Sequence, residues 1–171
     1  MVYLRELNCS DVNENYLSWM NDSEITKYLE VRFRQFSIDD LIKFVNETKK
    51  SDTNYLFGIF LKESNKHIGN MKIGDINKFH HFADVGLLIG DKKEWGKGYA
   101  TLAIKEACKI AFNDLNLYKL KSGMYENNLG SYRAFLKVGF KEVGRYKNHW
   151  ICGEKREDEI LLELLKEDFH E

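Results

Sequence analysis

The chain has 171 residues, of which 43% are hydrophobic and 31% charged, and its formal net charge is −1. This length and composition predict one globular domain, residues 1–171, and exclude a disordered chain. The near-neutral charge argues against a strong attraction to nucleic acid, and no apolar run approaches the roughly 20 residues that span a bilayer. Neither nucleic acid nor membrane is therefore an expected partner. Three widely spaced cysteines favour free thiols in a cytoplasmic protein.

The first third of the chain predicts one strand and two capped helices. Val2–Leu7 alternates apolar and polar side chains, as a short strand does. Ser10 is expected to cap the first helix, and Ser37, with Asp40 three residues later, the second. Residues 24–36, between these helices, follow no clean period. They form either a loop with ordinary surface charges or a binding segment.

Three strands and a long helix are predicted in the middle of the chain. Tyr55–Lys62 and His67–Ile76 form a hairpin, and Ala83–Gly90 returns as the fourth strand. Glycine inside a strand often marks a bulge or a close backbone approach, so Gly86 is expected to disturb this strand. Residues 100–113 carry apolar side chains at spacings of three and four, which predicts a helix.

The last third predicts further strands around a short helix. Residues 117–124 and 140–146 are typical of strands, and residues 129–136 of a short helix that Gly139 ends. Residues 160–165 are ambiguous, because their leucines and glutamates favour a helix while a strand remains open. No repeats or linkers interrupt the chain.

A glycine-bearing loop, Trp95-Gly96-Lys97-Gly98-Tyr99-Ala100, joins the fourth strand to the long helix. A helix start exposes backbone N–H groups without intrahelical partners and adds partial positive charge. Gly96 and Gly98 remove the side chains that would keep a bulky anion away, and Lys97 adds a full charge. The pattern is neither GxxxxGK[ST] nor the dinucleotide fingerprint GxGxxG. It predicts a phosphate site, with a loop that needs glycine only for its turn as the alternative.

The loop resembles the acetyl-CoA pyrophosphate loop of the GCN5-related N-acetyltransferase (GNAT) family, whose pattern is Arg/Gln-x-x-Gly-x-Gly/Ala. Trp95 replaces the usual Arg or Gln, which is similar to the RimJ/RimL-like branch. A second segment resembles the same family: Asn128-Leu129-Gly130-Ser131 followed by Phe135-Leu136-Lys137-Val138-Gly139-Phe140. The resemblance spans about residues 3 to 167, nearly the whole chain, and two ordered motifs are more specific than either alone.

The resemblance implies an α/β (α+β) fold: a mixed, mostly antiparallel seven-stranded sheet flanked by about four helices. In that fold residues 160–165 are the seventh strand, and the fourth and fifth strands splay apart around the pantetheine arm. It also implies acetyl-CoA as cosubstrate and no metal. The residues expected to hold the coenzyme are Leu87, Leu88, Ile89, Trp95, Gly96, Lys97, Gly98, Tyr99, Ala100 and Asn128.

Many members of that family protonate the departing thiolate with a tyrosine, at the position that aligns here with Phe135. Phe135 cannot donate a proton, so Ser131 and Tyr132 are the candidate donors, unless the thiolate leaves unaided. Capping and packing are the structural alternatives for these two. His149, which titrates near neutral pH, and Glu30 are the candidate bases, with a surface histidine and a solvated charge as the alternatives.

These inferences predict an N-acetyltransferase that moves acetyl from acetyl-CoA to a primary amine. Tyr28, Glu30, Arg32 and Arg34 are the candidate acceptor-binding residues. Because arginine suits phosphate contacts, the favoured acceptor is a small amine such as a nucleotide-linked amino sugar. The branch resemblance favours a protein N-terminus instead, and the missing tyrosine leaves a non-catalytic CoA-binding module as a third hypothesis. A homodimer is a further candidate assembly.

Overall fold

A computed structural model describes residues 1–170 and contains one seven-stranded sheet with strand order β1-β2-β3-β4-β5-β7-β6. Strands β4 and β5 pair in parallel, and every other neighbouring pair within the described residues is antiparallel. The predicted mixed sheet is therefore confirmed. The strands are β1 (Val2–Glu6), β2 (Tyr55–Leu61), β3 (His67–Asn77), β4 (Phe82–Ile89), β5 (Lys119–Tyr125), β6 (Lys141–Cys152) and β7 (Lys155–Leu165).

Four α-helices within residues 1–170 cover the two faces of this sheet. Helices α3 and α4 contribute to one buried cluster with the centre of the sheet, and α1 and α2 to a second cluster on the other face. No helix in this part of the chain combines the length and apolar character needed to cross a bilayer. The helices are α1 (Glu14–Met20), α2 (Ile38–Lys50), α3 (Tyr99–Lys109) and α4 (Leu129–Val138).

Strands β4 and β5 pair only where Phe82–Asp84 lies beside Lys119–Lys121. Beyond this point β4 continues to its end paired with β3, and β5 continues paired with β7. The predicted splay is thus confirmed. Of the two alternatives for Gly86, a bulge or a close backbone approach, the bulge is wrong, because the β3–β4 register runs unshifted through this residue and breaks only after Gly74. Gly86 instead lies just past the point at which the two strands part.

The predicted cap of the first helix is also wrong. Ser10 lies in a 3-10 turn, Cys9–Asp11, and α1 begins only at Glu14. The side chain of Asn13 caps α1 by accepting a hydrogen bond from the Tyr16 N–H at 3.1 Å. An asparagine oxygen performs the same capping chemistry as serine, so Asn13 can cap the helix three residues after Ser10.

Asn13→Ala is expected to lower the free energy of unfolding by about 1 kcal/mol, because one N–H of α1 loses its acceptor. Ser10→Ala is the matched control. Its side chain is exposed and makes no hydrogen bond within residues 1–170, so we expect a change within about 0.5 kcal/mol. Chemical denaturation measures both variants. Equal losses would contradict the assignment of the cap to Asn13.

Candidate active site

A cleft of about 640 Å³ lies beside the end of β4, where this strand has parted from β5. Its walls come from β4, the loop into α3, the start of α4 and the connection between α1 and α2. The cleft therefore collects residues that are far apart in the sequence. The predicted coenzyme residues that line it are Leu87, Leu88, Ile89, Trp95, Gly96, Gly98, Tyr99, Ala100 and Asn128.

The start of α3 has the features of an anion site. Gly96 and Gly98 have φ angles of 76° and 81°, in the left-handed region that favours glycine, and a Cβ on either would meet no atom within 4 Å. Gly98 is the N-cap, and no side chain within residues 1–170 caps this helix or adds an acidic group to its first turn. The other three α-helices each have a side-chain cap. Backbone N–H groups at the start of α3 thus remain available for a bound anion.

Two side chains of the loop stabilise its shape. The Trp95 Nε1 atom donates to the Ile89 carbonyl at 2.7 Å, which joins the loop to the end of β4. Lys97 Nζ lies 2.8 Å from one oxygen of the buried Glu94, and Lys66 Nζ lies 3.1 Å from the other. Both contacts lower the pKa of the Glu94 carboxyl, and the contact with Lys97 has the larger effect. Lys97 is therefore an ion-pair partner rather than a residue of the cleft wall.

Helix α4 contributes one of the two candidate proton donors to the cleft. Asn128 caps this helix by accepting the Ser131 N–H at 3.3 Å, and Ser131 itself lines the cleft. Tyr132 donates to Glu142 on β6 at 2.9 Å, and this bond raises the pKa of its hydroxyl. Phe135 is 1% exposed and packs in the core. Of the two candidate proton donors, Ser131 is therefore the one that lines the cleft.

A second group of side chains gathers on the sheet face opposite α3 and α4, and we name it the aromatic–acidic cluster. Tyr125, at the end of β5, lies at its centre, with its ring stacked on Trp150 at 5.0 Å between centroids. Its hydroxyl donates to Glu30 at 2.5 Å and accepts from Arg32. Burial, followed by the bond to Glu30, raises the pKa of Tyr125 to about 12. The cluster comprises Glu30, Arg32, Tyr125, His149, Trp150 and Glu159.

His149, the first candidate base, lies against a carboxylate. Its Nε2 atom is 3.3 Å from Oε2 of Glu159, whose side chain is 13% exposed, compared with 42% for His149. Burial is the main reason that the pKa of Glu159 is raised. No three His, Cys, Asp or Glu side chains within residues 1–170 are arranged to hold a metal ion. His149 lies between the more enclosed Glu159 carboxylate and solvent.

The predicted acceptor residues are only partly brought together. Tyr28 lines the cleft, and its ring lies 5.6 Å from that of Tyr125. Arg32 also donates to a backbone carbonyl of β6 at 2.6 Å, so its guanidinium is already engaged. Arg34 lies over the Phe36 ring at 5.1 Å, near the start of α2. The structure therefore does not assemble the two arginines into a phosphate clamp.

Sequence reasoning did not identify Tyr125, Trp150 and Glu159. One local signal existed for Glu159, because Glu157-Asp158-Glu159 precedes the apolar run that starts at Ile160. Asp and Glu are depleted in strands, so three acidic residues in succession beside a predicted strand were the available hint. Tyr125 and Trp150 lie on different strands, and nothing in the local pattern relates them.

Comparison with known proteins agrees with this geometry. The family model described as acetyltransferase (GNAT) domain matches residues 2–141. The probable N-acetyltransferase YjcK of Bacillus subtilis (strain 168) is 28% identical over 173 residues, 98% of this chain and 95% of that protein. The spermidine N(1)-acetyltransferase of Escherichia coli (strain K12) is 27% identical over 101 residues, 59% of this chain and 54% of that protein.

A solved structure gives the same fold at lower sequence identity. The spermidine N-acetyltransferase from Vibrio cholerae, in complex with CoA and spermine, has a TM-score of 0.87 and 22% identity, over 98% of this chain and 96% of that one. The family model covers most of the chain. The chain therefore belongs to the GNAT family of acetyl-CoA-dependent N-acetyltransferases.

Proposed function

We propose that this protein acetylates the primary amine of a small cationic metabolite. The observation that carries the proposal is the cleft beside the end of β4, with the uncapped start of α3 at its wall. Gly96, Gly98 and the first N–H groups of α3 would hold the pyrophosphate, and residues 87–89 the pantetheine arm. Ser131 would donate a hydrogen bond near the sulfur. Acetyl-CoA supplies an activated acyl group when it is bound.

The charges on the face of the aromatic–acidic cluster favour a cation over a nucleotide-linked amino sugar. Asp84 forms an ion pair with Lys121 at 2.8 Å, and Glu30 forms one with Arg32 at 3.9 Å. Glu159 has only His149 within ion-pair distance among the described residues, so its charge has no permanent counter-ion. An uncompensated carboxylate attracts an ammonium group and repels a phosphate. The relative from Escherichia coli, named for spermidine, supports the same class of acceptor.

The proposal is tested by offering one acceptor at a time with acetyl-CoA and measuring thiol release. The acceptors are spermidine, a nucleotide-linked amino sugar and a short peptide with a free N-terminus. We expect release well above hydrolysis with spermidine. Release with the peptide alone would refute a small acceptor, and release with the amino sugar alone would refute a cationic one. No release above hydrolysis with any amine would leave a CoA-binding module without catalysis.

A further inference from the structure

Two glycines face each other across the gap between β4 and β5. The parallel register sets Asp84 beside Lys121, so Gly86 and Gly123 are the next positions on the same face. A Cβ on Gly86 would meet no atom within 4 Å, whereas a Cβ on Gly123 would overlap Oε1 of Glu159. Glycines thus line the gap on this face, and the Glu159 carboxylate lies over Gly123.

Glu159 reaches this place from β7 and is enclosed from several sides. In the sheet register it lies beside Tyr125 on β5 and Tyr146 on β6. Burial is the main cause of its raised pKa. The charges of Asp84 and Glu30 raise this pKa further, whereas those of His149 and Lys121 lower it. The titratable and charged groups that face the carboxylate are His149 and Tyr146 on β6, Tyr125 and Lys121 on β5, Asp84 on β4 and Glu30 from the connection between α1 and α2.

Building on the proposed function, we propose that Glu159 accepts the proton of the acceptor ammonium at this gap and that His149 passes it to solvent. The ammonium gives one proton to the carboxylate, which yields a neutral amine and a carboxylic acid. The nitrogen lone pair then forms the bond to the acetyl carbon while the carbon–sulfur bond breaks. A second nitrogen proton goes to the sulfur, and the first leaves through His149. One proton is released in each turnover.

The surroundings suit Glu159 to this task. Desolvation disfavours the charged form of a carboxyl, so a buried carboxylate is a stronger proton acceptor than an exposed one. A base is most efficient when its pKa lies near the working pH. His149 is more exposed than Glu159 and can exchange its proton with water. As the pH falls through the raised pKa of Glu159, the carboxylate becomes protonated and the rate is expected to fall.

Glu159→Gln tests the proposal because it keeps the shape and removes the base. With saturating spermidine we expect kcat to fall about 100-fold at neutral pH. The loss should shrink as the pH approaches the pKa of the amine, because the acceptor is then neutral without help. Calorimetry should give wild-type affinity for CoA. Glu163→Gln is the matched control: it lies on the same strand and face, but its partner is Lys119 at 3.3 Å, and it should keep the wild-type pH profile.

A second variant moves the carboxylate and leaves it titratable. The methyl group of Gly123→Ala would take the place of Glu159 Oε1, so kcat should fall. The kcat of this variant should still decrease at low pH, because the displaced carboxylate can still be protonated. A wild-type kcat–pH profile in Glu159→Gln would overturn the proposal. A higher KM for the amine with an unchanged profile would also do so, since Glu159 would then be a counter-ion only. If the wild-type protein acetylates no amine, the proposed function is overturned as well. If the wild-type protein is active and Glu159→Gln leaves its kcat–pH profile unchanged, this inference alone is overturned.

Discussion

Replacing Gly98 with glutamate is expected to raise the dissociation constant of CoA by about 1,000-fold. The N-cap has a φ of 81°, so any side chain strains it, and a Cβ there would project into open space at the start of α3. Two like charges about 4 Å apart repel by about 4 kcal/mol at an effective dielectric constant near 20. This energy alone corresponds to about three powers of ten in affinity. Isothermal titration calorimetry with CoA measures the effect.

The control separates the site from the chemistry of the substitution. Gly153, in the turn between β6 and β7, also has a positive φ, 63°, and a Cβ there would meet no atom within 4 Å. Gly153→Glu therefore adds the same charge and similar strain away from the cleft, and CoA affinity should not change. Gly98→Ala isolates the strain and should weaken binding less than glutamate does. A folded Gly98→Glu protein with unchanged affinity would exclude the start of α3 as the phosphate site.

Elements with strong local signals were predictable from the sequence. Ser37 and Asp40 form the expected capping box, because both halves of that interaction lie within one turn. Residues 160–165 had no decisive local signal: leucine and glutamate favour a helix, yet β7 is a strand paired with both β5 and β6. Its buried side chains, Ile160, Leu162 and Leu164, belong to the core, and this tertiary burial overrides the helical preference.

The cleft beside β4 and the aromatic–acidic cluster also differ in how far the local sequence predicts them. That one wall of the cleft comes from residues 87–100 could be predicted, because strand, loop and helix follow one another in this part of the chain. The aromatic–acidic cluster could not, because the strand order β5-β7-β6 brings Tyr125, Glu159 and Trp150 together and no local period encodes that order. The bulge expected at Gly86 failed for a related reason. A bulge depends on the partner strand as well as on the residue itself.

Gly69→Ala is expected to lower the free energy of unfolding by about 3 kcal/mol, the upper end of ordinary overpacking. Gly69 on β3 pairs with Ile89 on β4. A Cβ there would overlap the Leu88 carbonyl oxygen and lie 3.0 Å from the Ile89 Cα atom. Both obstacles are backbone atoms, so the end of β4 must shift to make room. That end lines the cleft and accepts the bond from Trp95, so CoA affinity should fall as well.

Gly144→Ala gives the matched comparison, since it adds the same methyl group to a strand glycine elsewhere in the sheet. A Cβ on Gly144 would lie 3.8 Å from Leu161 Cδ1, an ordinary contact, so its free energy of unfolding should change by less than about 0.5 kcal/mol. Denaturant unfolding and CoA calorimetry measure both variants. If Gly69→Ala matched Gly144→Ala in both, the close approach of β3 to β4 would be wrong. The position of Leu88 and Ile89 at the cleft, which depends on that approach, would then lose its support.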